Sequence, residues 1–318
     1  MNPTVSIIIP LYNKEAWIER TLASISSQTF SDWEAIIIDD GSTDQSVKIV
    51  ERFISKNPGN WVLIKNSNAG QCKTRNSGIA LAKGEFVAFL DADDIWSKNK
   101  LLDQVGVLRS NKDISLVISP YMIFSDVHKN GNYRLVLHKD TKKTLMRWLQ
   151  MRGYGAGTES TGMTRTELLR RIGGFDENLS TSAGLKLTIE LANRGKVEFS
   201  KNSLMAYRIH TGQWHSNTDM LSQDMAKLRN SSIQVMGDKP KALEFWHSAY
   251  ITLVKARQSR GLIGPLLSNN NSFKGSLFLI FLTKNIFFRN FAARIRGRFV
   301  RQICGFSLKD YNEFISKF

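Results

Sequence analysis

The chain predicts an α/β fold: a mostly parallel central sheet flanked by helices, followed by a helical C-terminal extension. Three observations carry this. Four short apolar runs recur within the first third of the chain. Stretches with helical spacing fill the intervals between them, the alternation of a parallel sheet covered on both faces. Each run also leads into polar or acidic residues, as parallel strands do when their carboxyl ends meet on one edge.

Val5-Ser6-Ile7-Ile8-Ile9-Pro10 is β-branched and uncharged, a buried strand closed by proline. Leu11-Tyr12-Asn13-Lys14 follows as a loop at its carboxyl end. Residues 16–27 carry Ala16, Trp17, Leu22 and Ile25 at roughly helical spacing. Residues 34–38 form a second strand, ending in Asp39-Asp40-Gly41-Ser42-Thr43-Asp44. Ser42 with Gln45 reads as a capping box for a helix through residue 55. Residues 61–65 give a short third strand, and Asn68-Ala69-Gly70 a turn. A helix over residues 71–82 closes near Gly84. The fourth strand, Phe86-Val87-Ala88-Phe89-Leu90, ends in Asp91-Ala92-Asp93-Asp94. Beyond it, residues 101–110 read as an amphipathic helix. Residues 115–125 and 133–137 read as strands joined through the hairpin signal His128-Lys129-Asn130-Gly131. Residues 142–151 are expected to be helical, and Gly153-Tyr154-Gly155-Ala156-Gly157 a flexible link. Residues 166–171, 187–192, 220–234 and 241–257 are further expected helices.

The acids after the fourth strand carry the candidate chemistry. Three carboxylates within four residues repel one another, and a divalent cation relieves that repulsion. Asp-x-Asp is a hard-oxygen arrangement suited to Mg²⁺ or Mn²⁺ holding a diphosphate. The alternative is a solvated acidic turn. What weighs against that turn is parallel connection, which brings Tyr12, Asp40, Asn68 and Asp91 to one edge.

Net charge is +16, from 44 Lys and Arg against 28 Asp and Glu, so an anionic partner is expected: nucleotide, nucleic acid or membrane surface. The two cysteines, Cys72 and Cys304, suggest no disulfide framework and a reducing, cytoplasmic compartment. Met1 leads directly into strand-like sequence, so no signal peptide is expected. No apolar run is long enough to span a membrane. No nucleic-acid recognition module is evident, and nucleic acid is not an expected partner.

Taken together, Val5-Ser6-Ile7-Ile8-Ile9-Pro10-Leu11-Tyr12-Asn13, Asp39-Asp40-Gly41-Ser42-Thr43-Asp44, Arg75-Asn76 and Asp91-Ala92-Asp93-Asp94 resemble the family-2 glycosyltransferases of the GT-A fold. Gly173-Gly174-Phe175-Asp176-Glu177 and Tyr207-Arg208-Ile209-His210 match further on, and the resemblance covers roughly residues 4–216. It implies a Rossmann-like GT-A sheet with residues 1–98 binding the nucleotide sugar and residues 99–218 the acceptor; residues 219–318 would be a basic helical extension. It further implies an inverting, metal-assisted transfer from a nucleotide sugar, a UDP-sugar, to a glycan or lipid-linked glycan. By position, Pro10, Tyr12, Asn13, Glu15, Asp40, Gly41, Ser42, Arg75, Asp91 and Arg208 would bind the nucleotide sugar. Tyr12 would lie near the base ring, and Asp40 would accept from a uracil imide N–H. Asp91, Asp93, Asp94 and His210 would hold Mn²⁺ or Mg²⁺. Alternatives stand beside several of these roles. Tyr12 could be a packed aromatic, Asp44 a helix-start acid, Arg75 a partner for a nearby carboxylate and His210 structural.

The chain departs from the family pattern at one place. The acidic pair whose carboxylate serves as general base aligns with Ala183-Gly184, neither of which can take a proton. Asp176, Glu177, Glu159 or Glu190 could substitute. Otherwise the enzyme is slow or relies on acceptor or metal, or the fold binds nucleotide sugar without transfer. In the last hundred residues, Arg289, Arg294, Arg296, Arg298 and Arg301 interleave with Phe291, Ile295, Phe299 and Val300. That mix suits a helix lying on an anionic membrane surface, which would place the protein peripherally on the inner face. The alternative is a helix docked on the catalytic domain.

Overall fold

The structure is a computed structural model that describes residues 2–125, 134–136, 159–179, 182–201, 203–210 and 224. The chain divides into two compact units, Met1–Ala249 and Tyr250–Phe318, and all the described residues belong to the first. The hairpin signal at 128–131, the expected helices at 142–151 and 241–257, the helix at 220–234 apart from residue 224, the link at 153–157 and the basic segment of the extension lie outside the described residues.

In chain order the first half runs β1 (Val5–Leu11), α1 (Ile18–Ser26), β2 (Trp33–Asp40), α2 (Ser46–Lys56), β3 (Trp61–Asn66), α3 (Gln71–Leu81), β4 (Phe86–Phe89), β5 (Ile95–Trp96) and α4 (Lys100–Ser110). Then follow β6 (Ile114–Ile118), β7 (Tyr121–Ser125), β8 (Arg134–Val136), a 3-10 turn (Glu159–Thr161), β9 (Gly162–Arg165), α5 (Thr166–Ile172), α6 (Ala183–Ala192), β10 (Lys196–Phe199) and β11 (Met205–Ile209). The main sheet has the order β10-β6-β9-β4-β1-β2-β3. The four strands expected from the sequence are mutually parallel, with Ile8 facing Ile36 on one side and Phe89 on the other. β9 is antiparallel to both its neighbours, and β10 is parallel to β6.

Burial follows from strand periodicity. Successive side chains of β1 point to opposite faces. Val5, Ile7 and Ile9 therefore pack with Leu22 of α1 and Leu101 of α4, while Ile8 packs with Ile79 of α3, Leu169 of α5 and Leu187 of α6. Because both faces are covered, β1 reads as a nearly continuous apolar run. Each fully buried Ile or Leu contributes about 1.5–3 kcal/mol relative to exposure.

A second sheet, β5-β11-β7-β8, was not anticipated. Residues 115–125 are two strands in two sheets rather than one: Pro120 offers no N–H, and the chain changes sheet at Ser119-Pro120. The polar break is satisfied from within, because Gln104 Nε2 donates to Val117 O, Ser119 Oγ and Thr161 O. Two boundary expectations are corrected. α2 has no capping box: its N-cap is Gln45, without a side-chain cap bond, while Ser42 Oγ accepts from Asn13 N instead. α3 ends at Leu81 with Ala82 as its C-cap, so Gly84 does not cap it; Gly84 lies against β1 with its N–H donated to Ser6 Oγ. No helix among the described residues is long and apolar enough to cross a membrane.

Candidate functional site

The carboxyl ends of β1, β2 and β4 form an edge that side chains stitch together. At the tip of β1, Asn13 adopts a left-handed backbone, φ 49°. Its Oδ1 accepts from Thr43 N at 2.8 Å, its own N–H donates to Ser42 Oγ at 3.0 Å, and Lys14 N donates to Ser46 Oγ at 2.7 Å. Glu15 is exposed and accepts from Gln45 N at 2.8 Å. The 12–15 loop is thus held by the loop after β2. Pro10 lies within β1 beside Ile38. Tyr12 is 47% exposed at the tip, so it is not a packed core aromatic.

At the end of β2, Asp39 accepts from Ser42 N, and Asp44 accepts from Ser46 N and Glu15 N. Gly41 has φ 77°, and a Cβ there would stand 3.0 Å from Asn68 N, so glycine suits both the turn and the close approach. Asp40 accepts from Ala69 N at 2.7 Å and Gly70 N at 3.1 Å, which fixes the 68–70 loop beside it.

The three acids after β4 have three different environments. Asp91 Oδ1 accepts from Arg75 Nη2 at 2.6 Å, and its backbone N–H donates to Ser160 Oγ. Burial pushes the Asp91 carboxyl up, Arg75 opposes this, and Glu159 and Asp93 add to it; the net shift is upward. Asp93 Oδ2 accepts from Lys14 Nζ at 2.6 Å and lies 3.0 Å from His210 Nε2. Burial would raise this carboxyl too, but the Lys14 ammonium and His210 outweigh it and hold it below the usual range. Asp94 is fully buried; its Oδ1 accepts from Arg208 N at 3.2 Å, and its Oδ2 has no hydrogen-bond partner among the described residues. Burial, then repulsion from Asp93 and Asp91, pushes it well above the usual range.

β11 runs in from far along the chain and closes the site. Arg208 is buried, donates from Nε to Asp93 O at 3.0 Å and lies over the Phe124 ring at 4.6 Å. It therefore clamps the backbone of the acidic loop. His210 stacks on Trp17, with ring centroids 4.0 Å apart. Arg75 is buried between two carboxylates, and its Nη1 lies 3.7 Å from Glu159 Oε1.

Of the four expected metal ligands, the structure brings Asp93 and His210 together. Asp91 faces Arg75, and Asp94 faces the backbone of β11. No cluster of three His, Cys, Asp or Glu donors forms among the described residues. One carboxylate oxygen with one imidazole nitrogen, completed by diphosphate oxygens, fits Mn²⁺; Mg²⁺, which takes oxygen ligands, fits less well. The ammonium of Lys14 already places a positive charge on the same oxygen.

The acids proposed as substitute bases differ in availability. Asp176 Oδ2 accepts from Lys186 Nζ at 2.6 Å, and this bond holds its carboxyl below the usual range. Glu177 accepts from Asn76 Nδ2 at 3.0 Å, and Glu190 pairs with Arg194 one turn along α6. Sequence reasoning missed Lys14, Trp17 and Ser160 as parts of the site. Lys14 directly follows the matched 5–13 motif, whereas Trp17 and Ser160 carried no signal apart from their apolar or polar type.

The family model described as "Glycosyl transferase family 2" matches residues 6–173. Among curated relatives, an Escherichia coli protein named "UDP-Glc:alpha-D-GlcNAc-diphosphoundecaprenol beta-1,3-glucosyltransferase WfgD" is 38% identical over 124 residues, 38% of this chain and 47% of that one. The "Putative teichuronic acid biosynthesis glycosyltransferase TuaG" of Bacillus subtilis is 40% identical over 103 residues, 32% of this chain and 41% of that one. The chain thus spans less than half the length of these two relatives. Among solved structures, S. aureus TarS 1-349 in complex with UDP-GlcNAc superposes with a TM-score of 0.59 at 22% identity, covering 79% of this chain and 72% of that one. The mannosyltransferase PcManGT from Pyrobaculum calidifontis, in complex with GDP-Man and Mn²⁺, gives a TM-score of 0.61 at 18% identity, covering 95% and 88%. At such identities the two structures bear on the fold alone, a GT-A fold.

Proposed function

Because the chain belongs to glycosyl transferase family 2, we propose that it transfers a sugar from a UDP-sugar to a glycan or lipid-linked glycan, with inversion. The observation that carries this reading is the meeting of Asp93 and His210, 3.0 Å apart, on the edge that also bears Tyr12, Asp40 and the Arg75–Asp91 pair. In this reading Tyr12 lies against the base, and Asp40 accepts from the uracil N–H through its remaining lone pairs. Pro10, Asn13, Glu15, Gly41 and Ser42 shape the nucleoside side of the cleft. Asp91, oriented by Arg75 and Ser160, faces the ribose. Asp93 and His210 would hold a divalent metal, Mn²⁺ by preference, which when bound supplies positive charge for the departing diphosphate. Arg208 keeps the Asp93 loop in place from behind, and Lys14 adds a second cation.

The acceptor reading draws support from the name of the E. coli relative, which specifies a diphosphoundecaprenol-linked sugar. A membrane-embedded acceptor also accords with the basic-apolar sequence of residues 274–310 and with a peripheral place on the inner membrane face. Ala183-Gly184, without a carboxylate, favours a second reading: a module that binds nucleotide sugar without transferring it. Donor turnover separates the two.

The test is a thermal shift. UDP with Mn²⁺ should raise the melting temperature of the full chain, and Asp93→Ala should abolish that rise. Equal stabilisation of both proteins would remove Asp93 from the metal site.

A further inference from the structure

We propose that Glu159 is the general base of the transfer, a step that rests on the glycosyltransferase reading above. The carboxylates on this edge are nearly all committed. Asp40 is bonded to two backbone N–H groups, Asp91 to Arg75, Asp93 to Lys14 and His210, Asp94 to the backbone of β11, and Asp176 to Lys186. Glu159 is different. Among the described residues its carboxylate accepts no hydrogen bond, its nearest cation is Arg75 Nη1 at 3.7 Å, and its side chain is 22% exposed.

Its backbone is firmly placed. Ser160 O accepts from Trp96 Nε1 at 2.8 Å, Ser160 Oγ accepts from Asp91 N at 3.0 Å, and Thr161 O accepts from Ser119 N at 3.0 Å. The 3-10 turn that begins with Glu159 is therefore tied to the loop bearing the donor-side acids. Arg75 lies between them, 2.6 Å from Asp91 and 3.7 Å from Glu159.

Gly184 leaves the carboxylate its room. A Cβ built on Gly184 would stand 2.1 Å from Glu159 Oε1 and 2.7 Å from its Cδ. A side chain at 184 would have to displace the Glu159 carboxylate from this place. The acid that the family pattern places at 183–184 is absent from this chain, and the carboxylate of Glu159 fills the volume it would have entered. The glycine in the first turn of α6 leaves the space that the carboxylate of the 3-10 turn occupies.

In the proposed step the acceptor hydroxyl oxygen forms the bond to the anomeric carbon. The bond from that carbon to the diphosphate oxygen breaks, its electron pair leaving on UDP. The hydroxyl proton goes to the Glu159 carboxylate.

The experiment uses the full chain as wild type, Glu159→Gln and the double variant Glu159→Gly with Gly184→Asp. It measures UDP release from UDP-glucose and UDP-GlcNAc with Mn²⁺, with water as the acceptor hydroxyl, together with UDP affinity by calorimetry and melting temperature. Glu159→Gln is expected to lower turnover by about 10²–10⁴-fold, the usual worth of a general base, with UDP affinity and melting temperature unchanged. Returning the carboxylate to position 184 should recover part of that loss, which a merely structural Glu159 would not allow. Full turnover in Glu159→Gln would overturn the proposal. So would a wild-type protein that binds UDP and releases none, or a double variant of native melting temperature without recovery. A wild-type protein that fails to bind UDP would instead overturn the reading on which the proposal rests.

Discussion

Asp91, Asp93 and Asp94 sit within four residues, yet their surroundings push them in different directions. Asp93 gains an ammonium and an imidazole and stays readily ionised, while Asp94 gains no cation, only the Ser160 side chain and the Arg208 backbone N–H, and burial pushes it upward. Lys100 is the buried cation counterpart. It is fully buried, donates to Gln104 Oε1 at 2.6 Å and lies over the Trp96 ring at 3.9 Å, but no carboxylate pairs with it among the described residues. Burial holds its ammonium well below the usual 10.5. Between that lowered value and 10.5 the unfolded chain binds more protons than the folded one, so this group's contribution to stability rises with pH. Lys100→Met removes the titration and leaves a pH-independent offset at Gln104. Thermal melts at neutral pH and near pH 10 should show the wild type gaining on Lys100→Met as pH rises. A constant gap would mean that Lys100 titrates normally.

At the scale of the element, α3 shows how helix and sheet are brought close enough to place Arg75. Gly78 faces the sheet, and a methyl there would stand 2.5 Å from Ile8 Cγ2 and 3.1 Å from Ile38 Cδ1. Ala is otherwise the better helix residue, by about 0.5–1 kcal/mol. Overpacking of a close contact costs about 1–3 kcal/mol, so the clash should win. Gly78→Ala should therefore lower the urea midpoint without changing the slope of the transition; an unchanged or higher midpoint would show that α3 can shift outward freely. If α3 does shift, Arg75 moves away from Asp91, and UDP affinity should fall with stability.

For the whole molecule, the excess of positive charge has to be placed. The described edge sets Lys14 and Arg75 against carboxylates and Arg208 against the Asp93 backbone carbonyl, so little of the +16 is left free there. No Asp or Glu occurs between Lys274 and Asp310, and that segment carries much of the excess. The full chain should co-sediment with anionic liposomes in a salt-dependent way, and truncation after residue 270 should abolish this. Binding that survives truncation would move the membrane contact to residues 1–270.

The parallel arrangement of β1 to β4, and with it the shared edge of Tyr12, Asp40, Asp91 and Asp93, was legible in the residue order. Strands buried on both faces need long apolar runs, and short helical intervals between them leave few topologies. The second sheet, and the short strands that complete the main one, were not legible. β5 is only two residues long, and β9, β10 and β11 are at most five residues long and of mixed polarity; they become strands because neighbouring strands offer them hydrogen bonds. Which partner each acid takes, and that Glu159 enters the space left by Gly184, was decided by contacts between segments far apart in the chain. Such contacts depend on the packed shape of both sides, and local periodicity carries no record of it.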